Sequence, residues 1–211
     1  MKPESAIYAA WLQELVPPQV HGSTTTTRSD YTARNEAEGI ACFEKAASRL
    51  LDVNHWQQWA GQATAAFQLI DARGHKADRP AQEGDYFCID LPGPGNPGGK
   101  GDDWVQVEKI GKRTAMHQQA VYITVRAARS PIVPQQAAPH FFDSAATSTF
   151  VVYREAQRLI AAVYGRNEHP NIHQGNLLTR LRNWFVYLGA RLGLSALQWK
   201  SLTNGLLRFE H

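Results

Sequence analysis

The sequence is poor in cysteine, has no long apolar run and carries no large excess of either charge, and each shortage removes a class of protein. Cys42 and Cys88 are the two cysteines in 211 residues. A disulfide scaffold carries more, in a shorter chain. Cys42 falls in a helix-like stretch and Cys88 in a strand-like one, both beside aromatics, so both read as reduced, buried small hydrophobes. Reduced thiols point to a cytoplasmic location. No apolar run approaches the roughly 20 residues that a membrane helix needs. The opening MKPESAIYAAWLQELVPP carries Glu4, Gln13 and Glu14 and lacks a small-residue cleavage site, which argues against a secretory signal. The net charge of +3 neither demands nor excludes an anionic partner.

Catalytic and metal signatures are missing too. There is no G-x-S-x-G elbow, no H-E-x-x-H and no C-x-x-C. His169 and His173 are four apart, but Pro170 between them breaks the helical face that would join them. Ser148 and Thr149 read as sheet hydroxyls, and Tyr86 and Asp90, on the strand face of Cys88, do not activate a thiol. The expectation is no metal, no cofactor and no catalytic residue.

One literal nucleotide fingerprint does occur. In DLPGPGNPGGKGDDW, residues 90–104, Gly93, Gly95 and Gly98 have G-x-G-x-x-G spacing. That pattern acts through the helix that follows it, whose N-terminal amides hold a pyrophosphate. Here a strand-like run follows, and Pro94 and Pro97 remove two amides. The segment 92–103 reads as a wide hairpin connection, which either turns the chain or covers the mouth of a pocket.

What is present is an ordinary globular composition, 43% apolar and 19% charged, long enough to bury a core. Residues 5–16 form a short helix stopped by Pro17-Pro18, so 1–19 is read as an N-terminal helical extension to one domain spanning 20–211. Ser23–Thr27 reads as a polar edge strand, with a linker as the alternative. Residues 33–51 predict a helix with Ile40, Phe43, Ala47, Leu50 and Leu51 on one stripe, and VNHWQQWAG adds a short helical turn ended by Gly61. The period then falls from about 3.6 to about 2. Strands are predicted at 64–72, 85–91, 104–110, 120–127, 147–155 and 159–166, with turns at Arg73-Gly74, Glu83-Gly84 and Gly111-Lys112 and a tight hairpin at Ala156–Arg158. Leu177, Leu181, Trp184 and Leu188 mark a long amphipathic helix over 175–192. Ser195 and Gln198 open a final helix, 195–207, with Leu202 and Leu206 inside.

This order resembles the helix-grip fold of START-like and pollen-allergen-like proteins. The stretch LLDVNHWQQWAG, with Asp52, Trp56 and Trp59, is similar to the segment that precedes the second strand in many bacterial members. The resemblance implies an α+β fold, a curved antiparallel sheet of six or seven strands packed on a long C-terminal helix, with a cavity between them. Another α+β sheet-and-helix layer, or a closed barrel with added helices, is the alternative.

Strand alternation names the candidate site residues. Val121, Ile123 and Val125 oppose Tyr122, Thr124 and Arg126, while Val105 and Val107 oppose Trp104, Gln106 and Glu108. If the apolar sets pack on the long helix, the others face solvent, the usual outcome of alternation. If the sheet curls the other way, Trp104, Glu108, Tyr122 and Arg126 line a ligand cavity. Arg166, Asn167 and Glu168 close the last strand, either as a plain turn or as a polar cluster at a pocket mouth. Three functions stay open. The first is binding of an apolar or amphipathic small molecule between sheet and C-terminal helix. The second is an enzyme using acid–base groups there, such as Glu108. The third is an interaction module using the basic C-terminal helices, where Arg180, Arg182, Arg191, Lys200 and Arg208 stand against Glu210. Those charges are spread over two helices, which favours a solvated face over a nucleic-acid or anionic membrane contact. Nothing in the sequence sets the oligomeric state.

Overall fold

The structure, a computed structural model, describes residues 6–61, 65–90, 103–132, 145–168 and 197–209. The expected 175–192 helix and most of the 92–103 connection lie outside these residues. In chain order the elements are α1 (Ala6–Leu15), β1 (Ser23–Thr32), α2 (Glu36–Leu51), a 3-10 turn (Val53–His55), α3 (Trp56–Ala60), β2 (Ala66–Ile70), β3 (Tyr86–Asp90), β4 (Asp103–Ala115), β5 (Gln118–Ala127), β6 (Thr147–Glu155) and β7 (Arg158–Glu168). A last helix, α4, covers 197–206. The seven strands form one antiparallel sheet in the order β1-β7-β6-β5-β4-β3-β2. A first strand returned to the sheet edge beside the last, with helices inserted before the second, is the helix-grip arrangement that the element order implied.

Local chemistry accounts for the helix that rests on this sheet. Asn35 caps α2, its side chain accepting from the Glu38 amide, and Glu36 and Glu38 sit in the first turn, where the helix dipole favours acids. Cys42, Phe43, Ala46, Ala47 and Leu50 recur at helical spacing and are buried. They meet the inner face of the sheet, where Val107, Val121, Ile123, Val125, Phe150, Val152, Leu159, Ala161 and Val163 share one core with Trp56 and with Leu202 and Leu206 of α4. The final helix is therefore part of the main core, with Leu202 and Leu206 on its inner face as its spacing implied. Neither cysteine is in a disulfide; Cys42 is buried and Cys88 half-buried.

The outer face is covered as well. Tyr8 and Leu15 of α1, with the adjoining Val16, form a second cluster with Ala120, Tyr122, Val151, Tyr153, Ile160, Ala162 and Tyr164. Tyr8 and Tyr164 share a hydroxyl–hydroxyl hydrogen bond of 2.5 Å. The usual expectation of one wet face thus fails over much of the sheet. Tyr122 is 4% exposed and Thr124 3%, and the central strands are buried on both sides.

Two element boundaries differ from the sequence reading for nonlocal reasons. β1 runs on to Thr32 because β7 pairs with it along that length, Thr32 opposite Arg158. β4 does not turn at Gly111-Lys112 but continues to Ala115. Gly111 lies opposite Tyr122, whose ring occupies the space a Cβ would take, 2.3 Å from the ring edge. An aromatic laid over a strand glycine replaces the packing that the glycine lacks. The strand also carries a bulge at Glu108, between the pairs Val107–Val125 and Lys109–Thr124.

Candidate functional site

The inner face is filled at its centre. Trp56 is fully buried, with ring centroids 5.1 Å from Phe67, 5.7 Å from Phe87 and 4.8 Å from Phe150, and Phe150 in turn lies 5.3 Å from Trp199 of α4. Open space remains at the end of the sheet where β4 and β6 begin and β5 and β7 finish. There Val105, Val125, Ala127, Ala146, Thr147, Ser148 and Glu168 line a cavity of about 60 Å³. Ligand pockets are commonly ~300 Å³ or more, so these residues enclose a head group or a few waters rather than a whole drug-sized molecule.

Glu168 comes to line this cavity because of three features of β7. Its alternation sends Leu159, Ala161 and Val163 into the inner core, so Gly165 occupies an inner-face position. Having no side chain, Gly165 leaves a notch. A Cβ there would come 2.1 Å from Glu168 Oε1 and 2.3 Å from Thr25 Oγ1. The chain folds back into that notch through Asn167, whose φ of 55° lies in the left-handed region, and the β1–β7 register shifts between Ser23–Glu168 and Thr25–Gly165. Asn167 is held there by the segment preceding β1. Its Oδ1 accepts from the amides of Val20 (2.8 Å) and His21 (3.3 Å), its Nδ2 donates to the Pro18 carbonyl (3.1 Å), and its own amide donates to Gln19 Oε1 (2.9 Å).

The Thr25 hydroxyl donates to Glu168 Oε1 at 3.1 Å. Burial pushes the Glu168 carboxyl above its usual range, against the opposing effects of the Thr25 hydrogen bond and the Arg166 charge. Arg166 does not sit in the notch. It donates to Thr24 Oγ1 and to the Gly165 carbonyl, both at 2.7 Å, and lies over the Tyr164 ring at 5.3 Å, on the outer side. A carboxyl whose folded pKa is raised adds stability below its unfolded value, and that contribution is lost as pH rises through the folded value. Glu168→Gln should therefore raise the melting temperature at pH 7 and remove part of the decline that sets in as pH rises above the usual carboxylate range. A variant that melts lower than the wild type at pH 7 would contradict this.

The other expected residues sit elsewhere. Glu108 and Arg126 form an ion pair with each other, each about one-third exposed. Tyr122 is buried in the outer cluster with the Lys109 ammonium 5.7 Å from its ring centroid, and Trp104 is half-buried opposite Cys88. Val105, Val107 and Val125 take the inner face, so these four lie on the outer face, opposite the cavity. Of the three mouth residues, Glu168 lines the cavity, Asn167 shapes the turn and Arg166 faces outward. Thr25 and Gly165 were not read as site residues. An isolated glycine inside a strand does signal a close approach, but its partner is some 140 positions away in the chain. Among the described residues no helix is long and apolar enough to cross a membrane.

No family model and no curated protein matches this chain. Several solved structures are similar in shape. The hypothetical protein jhp0584 from Helicobacter pylori has a TM-score of 0.49 at 9% identity, over 90% of this chain and 91% of that one. Norcoclaurine synthase from Thalictrum flavum, in complex with dopamine and hydroxybenzaldehyde, has a TM-score of 0.40 at 10% identity over 90% of each chain. Ara h 8.0201 has a TM-score of 0.36 at 9% identity, over 86% of this chain and all of that one. At TM-scores below 0.5 these likenesses fix neither activity nor ligand, and the fold assignment rests on the strand order.

Proposed function

We propose that the chain binds a small apolar or amphipathic molecule at the open end of the inner face, its polar end against Glu168 and Thr25 and its body against Val105, Val125, Ala127 and Ala146. One observation carries this reading: a carboxyl group folded into a glycine notch beside an apolar-walled cavity. Half-burying an acid whose pKa is raised by burial lowers stability at neutral pH, and groups held at such cost concentrate at binding and catalytic sites. The same carboxyl is the acid–base group that a catalytic version of this site would use. Glu108, paired with Arg126 on the other face, is not placed for that role.

A thermal-shift screen of small amphipathic fragments tests the proposal. A subset should raise the melting temperature of the wild type. The half-buried Val105, replaced by Phe, narrows the cavity and should abolish that shift while leaving the unliganded protein folded. No stabilising fragment, or equal stabilisation of the variant, would contradict the proposal.

A further inference from the structure

We infer that the ligand taken at this end of the inner face is an organic cation, a primary or secondary amine on a short apolar body, whose ammonium pairs with the Glu168 carboxylate. The inference rests on the proposed binding site and names its ligand chemistry. Among the described residues that line the cavity, Glu168 alone carries a formal charge. The rest are aliphatic or hydroxyl side chains. The Arg166 guanidinium, whose charge acts on this carboxyl without a hydrogen bond to it, spends one of its terminal nitrogens on the oxygens of Thr24, Thr25 and Gly165. Thr25 gives the carboxylate a neutral hydrogen bond, which orients it without neutralising it.

A carboxylate drawn out of water recovers most from a countercharge. Charge-assisted hydrogen bonds are shorter and about twice as strong as neutral ones. A neutral hydroxyl can donate here but leaves the charge uncompensated, and an anion adds repulsion to desolvation. Ser148, on the same face, offers a further acceptor oxygen to an ammonium, which has two or three N–H donors to place. The cavity of about 60 Å³ admits a compact head group beside the carboxylate. The valine and alanine side chains around it suit an alkyl or aryl body.

Three probes of matched length separate the chemistries: n-butylamine, n-butanol and butyrate, titrated at pH 7 while the methyl resonances of Val105 and Val125 are followed. Butylammonium should bind about tenfold or more tightly than butanol, the ratio expected for a charged against a neutral hydrogen bond, and butyrate should not saturate. Glu168→Gln should erase the preference for the amine. Thr25→Val, which keeps the carboxylate, should retain it, and the amide spectrum of each variant reports that it is folded. Butanol or butyrate binding as well as the amine would overturn the cation inference and leave the binding site standing. If none of the three moves these methyls in the wild type, both readings fall.

Discussion

Trp56→Ala is expected to destabilise the protein by about 3–5 kcal/mol, the range for removing a large buried aromatic. Trp56 is the largest fully buried side chain among the described residues. It joins elements that are far apart in the chain, touching Phe67 on β2, Phe87 on β3 and Phe150 on β6. Its indole N–H donates to the carbonyls of Leu50 (3.1 Å) and Arg49 (3.2 Å), which ties the short α3 to the C-terminal end of α2. Alanine would leave a cavity under three aromatic rings and strand those carbonyls. Denaturant unfolding followed by far-UV circular dichroism gives the value. A loss below about 1 kcal/mol would mean that the aromatic cluster is not the centre of the core.

Gly205→Ala should be destabilising in spite of helix propensity. Within a helix this change ordinarily gains about 1 kcal/mol. Here a Cβ would stand 2.2 Å from the Trp59 carbonyl oxygen and 2.5 Å from its carbon. Both are backbone atoms, so α4 itself must retreat. That retreat disturbs Arg49, which donates to the carbonyls of Gly205 (3.1 Å), Leu206 (3.3 Å) and Arg208 (2.6 Å). It also disturbs the 2.8 Å hydrogen bond between the hydroxyls of Thr203 and Ser29, which fastens α4 to β1. Overpacking of this kind costs about 1–3 kcal/mol and sometimes more. The net result should be a melting temperature several degrees lower, since each kcal/mol shifts a protein of this size by about 2–4 °C. An increase would show that α4 does not rest on α3.

Much of the fold is legible in the chain because local period carries it. The two-residue alternation of AVYITVRA sends Val121, Ile123 and Val125 inward, and the spacing of Phe43, Ala47 and Leu50 names the buried face of α2. Leu202 and Leu206 were readable as the inner face of the last helix for the same reason. What local period cannot carry is a partner distant in sequence. Gly111 looked like a turn because the Tyr122 ring above it belongs to another strand. Tyr122 looked exposed because the helix that covers it lies more than a hundred residues earlier.

The site divides along the same line. The polar group after the last strand was visible, and Glu168 within it lines the cavity. Its entry into the inner face depends on the left-handed Asn167 and on Thr25 from the opposite end of the chain. Trp104, Glu108, Tyr122 and Arg126 were read together from one alternation and do share a face. That face turns away from the inner core because the valines between them fill the inner side.

The central claim is that a small molecule occupies the Glu168 end of the inner face. Intermolecular nuclear Overhauser effects from a bound fragment test it most directly. The account predicts contacts to the methyl groups of Val105, Val125, Ala127 and Ala146, and their loss when Val105 is replaced by Phe. Contacts to the rings of Trp104 and Tyr122 on the outer face, with none to those methyls, would contradict it.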